Sequence, residues 1–442
     1  MNDAAKLKLV SPAPAVPAEK PSHALRRTRS AVDQPLAIDG GPPVRKTPLP
    51  GPYPGALLMG REEEKGVLEV LRSKSLFRYY GPDVLGKSTE FERRFAARIG
   101  SRHALAVNSG TSALKCALFA VGVGPGDEVL VPAFSYVATA DVVLALGARP
   151  VFVEIDDTMT IDPNDLRRKV AHMVESGHKP RAICVVHLFG VAADMDPILG
   201  LSREYGIPVI EDCAQSCGAM YRGNTVGHLG AMGIFSFQLN KVMTAGEGGA
   251  LVTDDPTLYD RAVRLHDHGN HRGNESAGSP LIGEGLRVSE LSAAILLAQL
   301  GRLDQILSRL RSAKRFLVER LGDVPGLELT RAPDPEGDGG VSLTFFVDSA
   351  DKTERVVDAL NAEGIRVLRQ YGGKLLYQQA AIRSVDLQPE PLCPRSADLV
   401  ARCVFLGLTT TLTKRDLQDI VTAIRKVMRD GSQVRREPGI HK

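Results

Sequence analysis

The 442-residue chain has almost no excess charge: 55 Lys and Arg against 52 Asp and Glu leave a formal net charge of +3. A nucleic acid or an anionic membrane needs a basic footprint to bind to, so neither is expected and a small-molecule partner is. No apolar run approaches the roughly 18 residues that span a bilayer. Arg26-Arg27 is not followed by a signal-type hydrophobic stretch, so neither export nor membrane insertion is indicated. The six cysteines (Cys116, Cys184, Cys213, Cys217, Cys393 and Cys403) include no CxxC pair and mostly sit in apolar or helical runs. That is the pattern of reduced, buried thiols, and it fits a cytoplasmic setting. Repeats of solenoid period are also lacking.

What is present is the composition of an ordinary globular protein, 43% hydrophobic, at a length that suggests two domains. Residues 1–36 are rich in Ala, Pro, Lys and Arg without hydrophobic periodicity and are expected to form a disordered tail. From there to about residue 310, after an N-terminal arm, helical patterns alternate with short apolar strands: "HALAV", "DEVLVP", "PVFVEI", "AICVVHLFG", "PVIEDCAQ", "GIFSF" and "GALVTD". Such alternation predicts an α/β fold with a largely parallel central sheet. "RVSELSAAILLAQLGRLDQILSRLRSAKRFLVERLG" predicts a long helix, possibly broken. Residues 311–430 predict a small α/β domain, in which "VSLTFFVDS" and "VLRQY" read as strands and "TERVVDALNAEGI" and "TKRDLQDIVTAIRKVMRD" as helices. Residues 431–442 are a C-terminal tail.

Three polar clusters stand at predicted strand ends, where ligands bind in open α/β sheets. After "HALAV", the run Asn108-Ser109-Gly110-Thr111-Ser112 opens a helix, which directs free N–H groups at an anion such as phosphate; taken alone it is also what a capped helix looks like. Strand "VIED" delivers Glu211 and Asp212, with Gln215 following. A carboxylate there can hold a proton on a ring nitrogen, although Asp is a common helix cap too. The third cluster places one lysine, Lys241, among small residues between two strands, five residues after Ser236 and ahead of "GEGG". Phosphate site, acidic strand end and lysine together suit a pyridoxal phosphate pocket better than three unrelated structural features do.

The chain resembles the DegT/StrS family of pyridoxal-phosphate sugar aminotransferases. The resemblance rests on "NSGTSAL", "GDEVLVPAFSYVATA", "VHLFG", "VIEDCAQSCGAMYRGNTVGHLG", "FSFQLNKVMTAGEGGALVTDD" and "RVSELSAAI", which occur in order over about residues 60–430. It implies fold type I, with a seven-stranded, mostly parallel sheet, a small C-terminal domain, and a homodimer with sites at the subunit boundary. It implies Lys241 as the amine that links the cofactor and the base that moves the donor's proton, Asp212 as the partner of the pyridine nitrogen, and Gln215 near the phenolic oxygen. Tyr136 would stack on the ring, and Gly110, Thr111 and Ser236 would contact the phosphate. The implied reaction moves an amino group from glutamate or glutamine to a keto-sugar, usually nucleotide-linked, a sugar acid or a cyclitol.

One position departs from the pattern. Relatives commonly read Gly-x-Asn-x-Arg before "SEL", the Asn reaching the partner subunit's phosphate, whereas "GEGLR" has Gly285 there and keeps Arg287. The stretches "SLFRYYG" and "HDHGNHRGNESAGSPLIGEGLR" look similar to a subgroup acting on an eight-carbon sugar acid. Arg78 and Arg287 within them are candidates for a substrate carboxylate or for structural ion pairs. His266, His268 and His271 lack a supporting ligand framework, so no metal is expected. Two competing readings are sugar elimination, against which Lys241 counts because dehydratase relatives carry histidine there, and a cofactor-binding protein without turnover.

Overall fold

Strands apolar on both faces belong in a parallel sheet covered by helices, and the computed structural model, which describes residues 31–269, 281–385 and 393–431, builds such a sheet. Its strands are β1 (His103–Val107), β2 (Glu128–Pro132), β3 (Arg149–Val153), β4 (Ala182–Val186) and β5 (Val209–Asp212). After the short hairpin of β6 (Met220–Tyr221) and β7 (Asn224–Thr225) come β8 (Met232–Ser236) and β9 (Gly249–Thr253). Hairpin aside, the order is β1-β9-β8-β5-β4-β2-β3. β9 alone runs against the rest, antiparallel to both β1 and β8. Register aligns the strand ends: Asp212 lies beside Val186 of β4 and Ile234 of β8, and Ser236 lies beside Gly249. The loops after β1, β2, β4, β5 and β8 therefore open on one edge of the sheet.

The predicted long helix is one unbroken element, Glu290–Leu321, capped by the Ser289 side chain, which accepts from Ser292 N–H. Its buried stripe, Leu296, Leu303, Ile306, Leu307, Leu310, Ala313, Leu317 and Leu321, recurs every three or four residues and faces one side. The expected boundary at 310/311 thus falls inside a helix. Beyond it, β10 (Leu327–Leu329), β11 (Ser342–Val347) and β12 (Cys403–Gly407) form a second, antiparallel sheet in the order β10-β11-β12. Helices Ala350–Ala362 and Lys414–Gly431 match the two predicted there. "VLRQY" is not a strand: it makes a single bridge, Leu368 to Phe405, before turning at Gln370–Gly373.

The N-terminal boundary also moves. Leu36 is 4% exposed and part of the main core, so packed structure begins before residue 37. Just after it, the buried Glu363 accepts from Ala37 and Val44 N–H at 2.8 and 2.9 Å while pairing with the buried Lys426 at 2.7 Å. Arg45 bridges to Asp416 and Asp419 at 2.6 and 3.0 Å. All six cysteines are buried and free. Among the described residues no helix is long and apolar enough to cross a membrane.

Candidate active site

β1 ends in the turn that starts helix Gly110–Ala120. Ser109 caps it, its Oγ accepting from Ser112 N–H at 3.0 Å, and Ser112 Oγ donates to Asn108 Oδ1 at 2.6 Å. Gly110 and Thr111 lie in the first turn, where N–H groups have no intrahelical acceptor. The site side of this turn meets β8: a Cβ built on Gly110 would stand 2.7 Å from Ser236 Cβ. Only glycine lets the helix start come that close to the Ser236 hydroxyl, and two of the three predicted clusters are thereby joined into an anion cradle.

β5 supplies two carboxylates that point to different fates, as neighbours on a strand must. Glu211 is fully buried and saturated. Its oxygens accept from Gly227, Leu229 and Gly230 N–H at 2.8, 2.7 and 2.6 Å and from His187 Nε2 at 2.9 Å. Because Ala193 N–H donates to His187 Nδ1 at 3.0 Å, the histidine proton sits on Nε2 and both ring nitrogens are used. His187, Glu211 and Cys213 lie close enough together to hold an ion, yet no histidine lone pair is left for one, and the cluster is a strut beneath the site. Asp212 differs. Its Oδ1 accepts from Ala214 N–H at 3.0 Å, and among the described residues no donor meets Oδ2. Burial raises its affinity for a proton above that of an ordinary aspartate, with the Ala214 N–H and the charge of Lys241 opposing.

Lys241 lies in a turn that its own backbone closes, Lys241 N–H donating to Gln238 C=O at 2.9 Å. The loop is pinned to the sheet by Thr244, whose Oγ1 donates to Phe237 C=O at 2.9 Å. Burial pushes the Lys241 amine below its usual value and Asp212 pulls it back up. Desolvation makes a neutral, nucleophilic amine accessible, and the two groups sense each other's charge across the same space.

Gln215 and Tyr136 reach this space from the loops after β5 and β2. Tyr136 is 56% exposed. Gln215 Nε2 donates to the hydroxyl of Tyr371, a residue that sequence reasoning missed because "VLRQY" was taken for a strand. The ring of Tyr371 lies 6.0 Å from that of Tyr136 and 5.5 Å from that of Phe134. The one signal available was the Tyr-Gly-Gly that ends the run.

Of the candidate arginines, Arg78 is committed to a buried carboxylate and Arg287 is held by one of its nitrogens. Arg78 is 8% exposed and its Nη2 meets both Glu92 oxygens at 2.8 Å, while Nη1 donates to Ala106 C=O. Of the two roles its sequence left open, the structure has Arg78 in the buried ion pair. Arg287 bridges to Val107 through its backbone, pairs with the buried Asp267 and lies 5.4 Å over the Phe77 ring. Beside it, a Cβ on Gly285 would meet the His268 ring at 3.4 Å and Arg287 Nη2 at 3.5 Å, so the place of an asparagine side chain adjoins these two groups. His266 is buried against Tyr79 Oη at 3.2 Å, and His271 lies outside the described residues. Apart from the His187 strut, no group of histidines, cysteines and carboxylates among the described residues is arranged for a metal.

A phosphorylated pyridine aldehyde fits this donor set: an anion cradle at Gly110, Thr111 and Ser236, a buried carboxylate with one free oxygen for a ring N–H, and a desolvated amine for the aldehyde. Comparison with known proteins agrees. The family model for the DegT/DnrJ/EryC1/StrS aminotransferase family matches residues 58–425. The chain is 35% identical over 438 residues to an L-glutamine:2-deoxy-scyllo-inosose aminotransferase of Micromonospora echinospora, covering 90% of this chain and 99% of that one. It is 38% identical over 347 residues to an L-glutamine:scyllo-inosose aminotransferase of Streptomyces griseus, covering 75% and 80%. Among solved structures, 3-amino-5-hydroxybenzoic acid synthase superposes with a TM-score of 0.77 at 30% identity, covering 87% of this chain and all of that one. The chain belongs to the DegT/DnrJ/EryC1/StrS aminotransferase family and is a pyridoxal-phosphate-dependent transaminase of fold type I.

Proposed function

We propose that this transaminase takes its amino group from glutamine and delivers it to the ketone carbon of a polyhydroxylated ring, a cyclitol ketone or keto-sugar. The observation that carries the reading is the meeting of Lys241, Asp212 and Ser236 with the Gly110 turn at one sheet edge. The glutamine-using relatives support the choice of donor and acceptor.

Pyridoxal phosphate supplies an electron sink for the carbanion left when the donor's α-proton is removed. The chain's residues do the rest. Gly110 and Thr111 N–H and the Ser236 hydroxyl would hold the phosphate, Asp212 Oδ2 would keep a proton on the ring nitrogen, and Tyr136 would stack on the ring. Lys241 Nζ would take the proton from the donor's α-carbon and return one to the acceptor's carbonyl carbon, its proton affinity lowered by burial and partly restored by Asp212. Arg287, oriented by Asp267, is assigned to the donor's carboxylate. Two copies of the chain form the working unit; the exposed Leu239, in the Lys241 loop itself, supports this.

The test is to follow cofactor absorbance when holoenzyme meets glutamine or glutamate, then add scyllo-inosose, its 2-deoxy analogue or nucleotide-linked keto-sugars and weigh the product. A spectral change followed by an amine of the expected mass supports the proposal. Consumption of a sugar without net amine transfer points to elimination instead.

A further inference from the structure

Tyr371 reaches the pocket from the small domain on a backbone anchored at both ends. Leu368 pairs with Phe405 of β12 on one side, and on the other Leu376 N–H donates to Ala133 C=O, just beyond β2, at 2.8 Å. Between these anchors Tyr371, Gly372 and Gly373 take three successive left-handed conformations, with φ of 54°, 68° and 66°. Such backbone is uncommon for a tyrosine and clusters at functional sites. At φ 66° any residue but glycine would be strained at position 373, and a Cβ there, 2.5 Å from the Arg369 guanidinium, would displace that group. The turn wraps Arg369 and delivers a phenol to the site.

That phenol is used in one direction only. Gln215 Nε2 donates to its oxygen, and the Gln370 side chain hydrogen-bonds the same group. Gln215 thus occupies the oxygen as a donor, while among the described residues no hydrogen bond takes up the phenolic hydrogen. Burial pushes the phenol up to about 12, so the hydrogen stays in place at any working pH. Asp212 senses the group through charge without a hydrogen bond, which puts the hydroxyl in the same pocket. A hydroxyl whose oxygen already accepts and whose hydrogen is free is a donor waiting for an oxygen.

We propose that Tyr371 positions the acceptor and sets its specificity: the phenolic hydrogen donates to a ring oxygen of the polyhydroxylated ketone and holds the carbonyl carbon toward Lys241. The inference rests on the functional reading above. The amino donor passes through the same pocket with a carboxylate and an amide in place of ring hydroxyls; the proposal gives the phenol to the ring, so the acceptor half-reaction depends on Tyr371 more than the donor half-reaction does.

The experiment compares holoenzyme with its Tyr371→Phe variant in each half-reaction separately, using scyllo-inosose and a panel of its mono-deoxy analogues, the 2-deoxy compound among them. Phenylalanine keeps a ring between Phe134 and Tyr136, so the glutamine half-reaction should stay within about twofold, while KM for the full ketone rises about tenfold and kcat moves less. In the unmodified enzyme one mono-deoxy ketone should show the same loss, and that loss should vanish in the variant, because the missing oxygen and the missing phenol are partners. Calorimetric titration of the aminocyclitol product into both proteins repeats the comparison without turnover. Equal slowing of both half-reactions, an unmoved KM, or losses that add for every analogue would overturn the assignment. If the unmodified enzyme reacts with glutamine yet passes no amine to any of these ketones, the functional reading has failed and the role of Tyr371 falls with it.

Discussion

Burial lowers the proton affinity of Lys241 and raises that of Asp212, so each group's state depends on the other and on what lies between them. Borohydride reduction of holoenzyme followed by peptide mapping should find the cofactor on Lys241, and Lys241→Ala should lose both adduct and turnover. An adduct on another lysine would contradict the assignment. Asp212→Ala should keep the cofactor attached yet slow the glutamine half-reaction by orders of magnitude, each unit of pKa lost from the ring nitrogen corresponding to about 1.4 kcal/mol. Stopped-flow absorbance separates the two steps. A wild-type rate in that variant would leave the ring without a carboxylate partner, since Glu211 has its oxygens filled by four donors. His266 gives a pH prediction. Burial lowers it to about 4, with the Val263 carbonyl opposing, while in the unfolded chain it titrates near 6.5. The unfolded state therefore binds the proton first as pH falls, and stability present above about 6.5 is lost progressively down to about 4, on the order of 3 kcal/mol in all. Urea unfolding should show a shallower slope between pH 7 and 5 in His266→Gln than in the wild type; equal slopes would refute it.

Elements were legible where one period or one composition governed them. All seven large-sheet strands read directly as apolar runs, and the helical spacing of its leucines marked the long helix. One strand lies elsewhere than the sequence predicts. "VLRQY" has strand composition, but Gly372 and Gly373 permit the left-handed turn that ends it, and the tertiary anchors at Phe405 and Ala133 select that turn. "CVFLG" forms β12 instead, pairing along β11 and taking the single bridge from Leu368. In the site, Lys241, Asp212 and Ser236 could be found because they follow strands, whereas the Arg78–Glu92 pair and Tyr371 depend on contacts far apart in sequence. The N-terminal segment shows the same limit: its low hydrophobicity hides a strap held by Glu363 and Lys426. Deleting residues 1–30 should change stability by less than about 0.5 kcal/mol. Deleting 1–45 removes the Ala37 and Val44 donors from a buried ion pair and should cost about 3 kcal/mol or more. Equal unfolding midpoints for the two truncations would sink the strap.

At the scale of the whole molecule, several large apolar side chains stand exposed, as the proposed dimer requires. Tyr80 is 65% exposed, Leu71 49% and Leu239 44%, and Tyr136, assigned to the cofactor ring, stands open to solvent. The segment carrying Tyr53 and Leu57 lies against the Lys241 loop, where a Cβ on Gly55 would be 2.8 Å from Val242 C=O, so these side chains continue the border of the pocket. Contiguous apolar surface beside a site marks an interaction face, and in a two-fold dimer each residue on that face is buried twice. Burying one leucine contributes about 2 kcal/mol, so Leu71→Asp should weaken a dimer by about 4 kcal/mol, roughly a thousandfold in Kd, before any charge repulsion. Sedimentation should find the wild type dimeric at micromolar concentration and the Leu71→Asp, Leu239→Asp variant monomeric. If the proposed partner completes the pocket, the monomer should lose most of its transaminase activity while keeping the Lys241 adduct, which needs only groups from one chain. A wild type that sediments as a monomer and turns over fully would show that the exposed apolar border serves something other than a second copy.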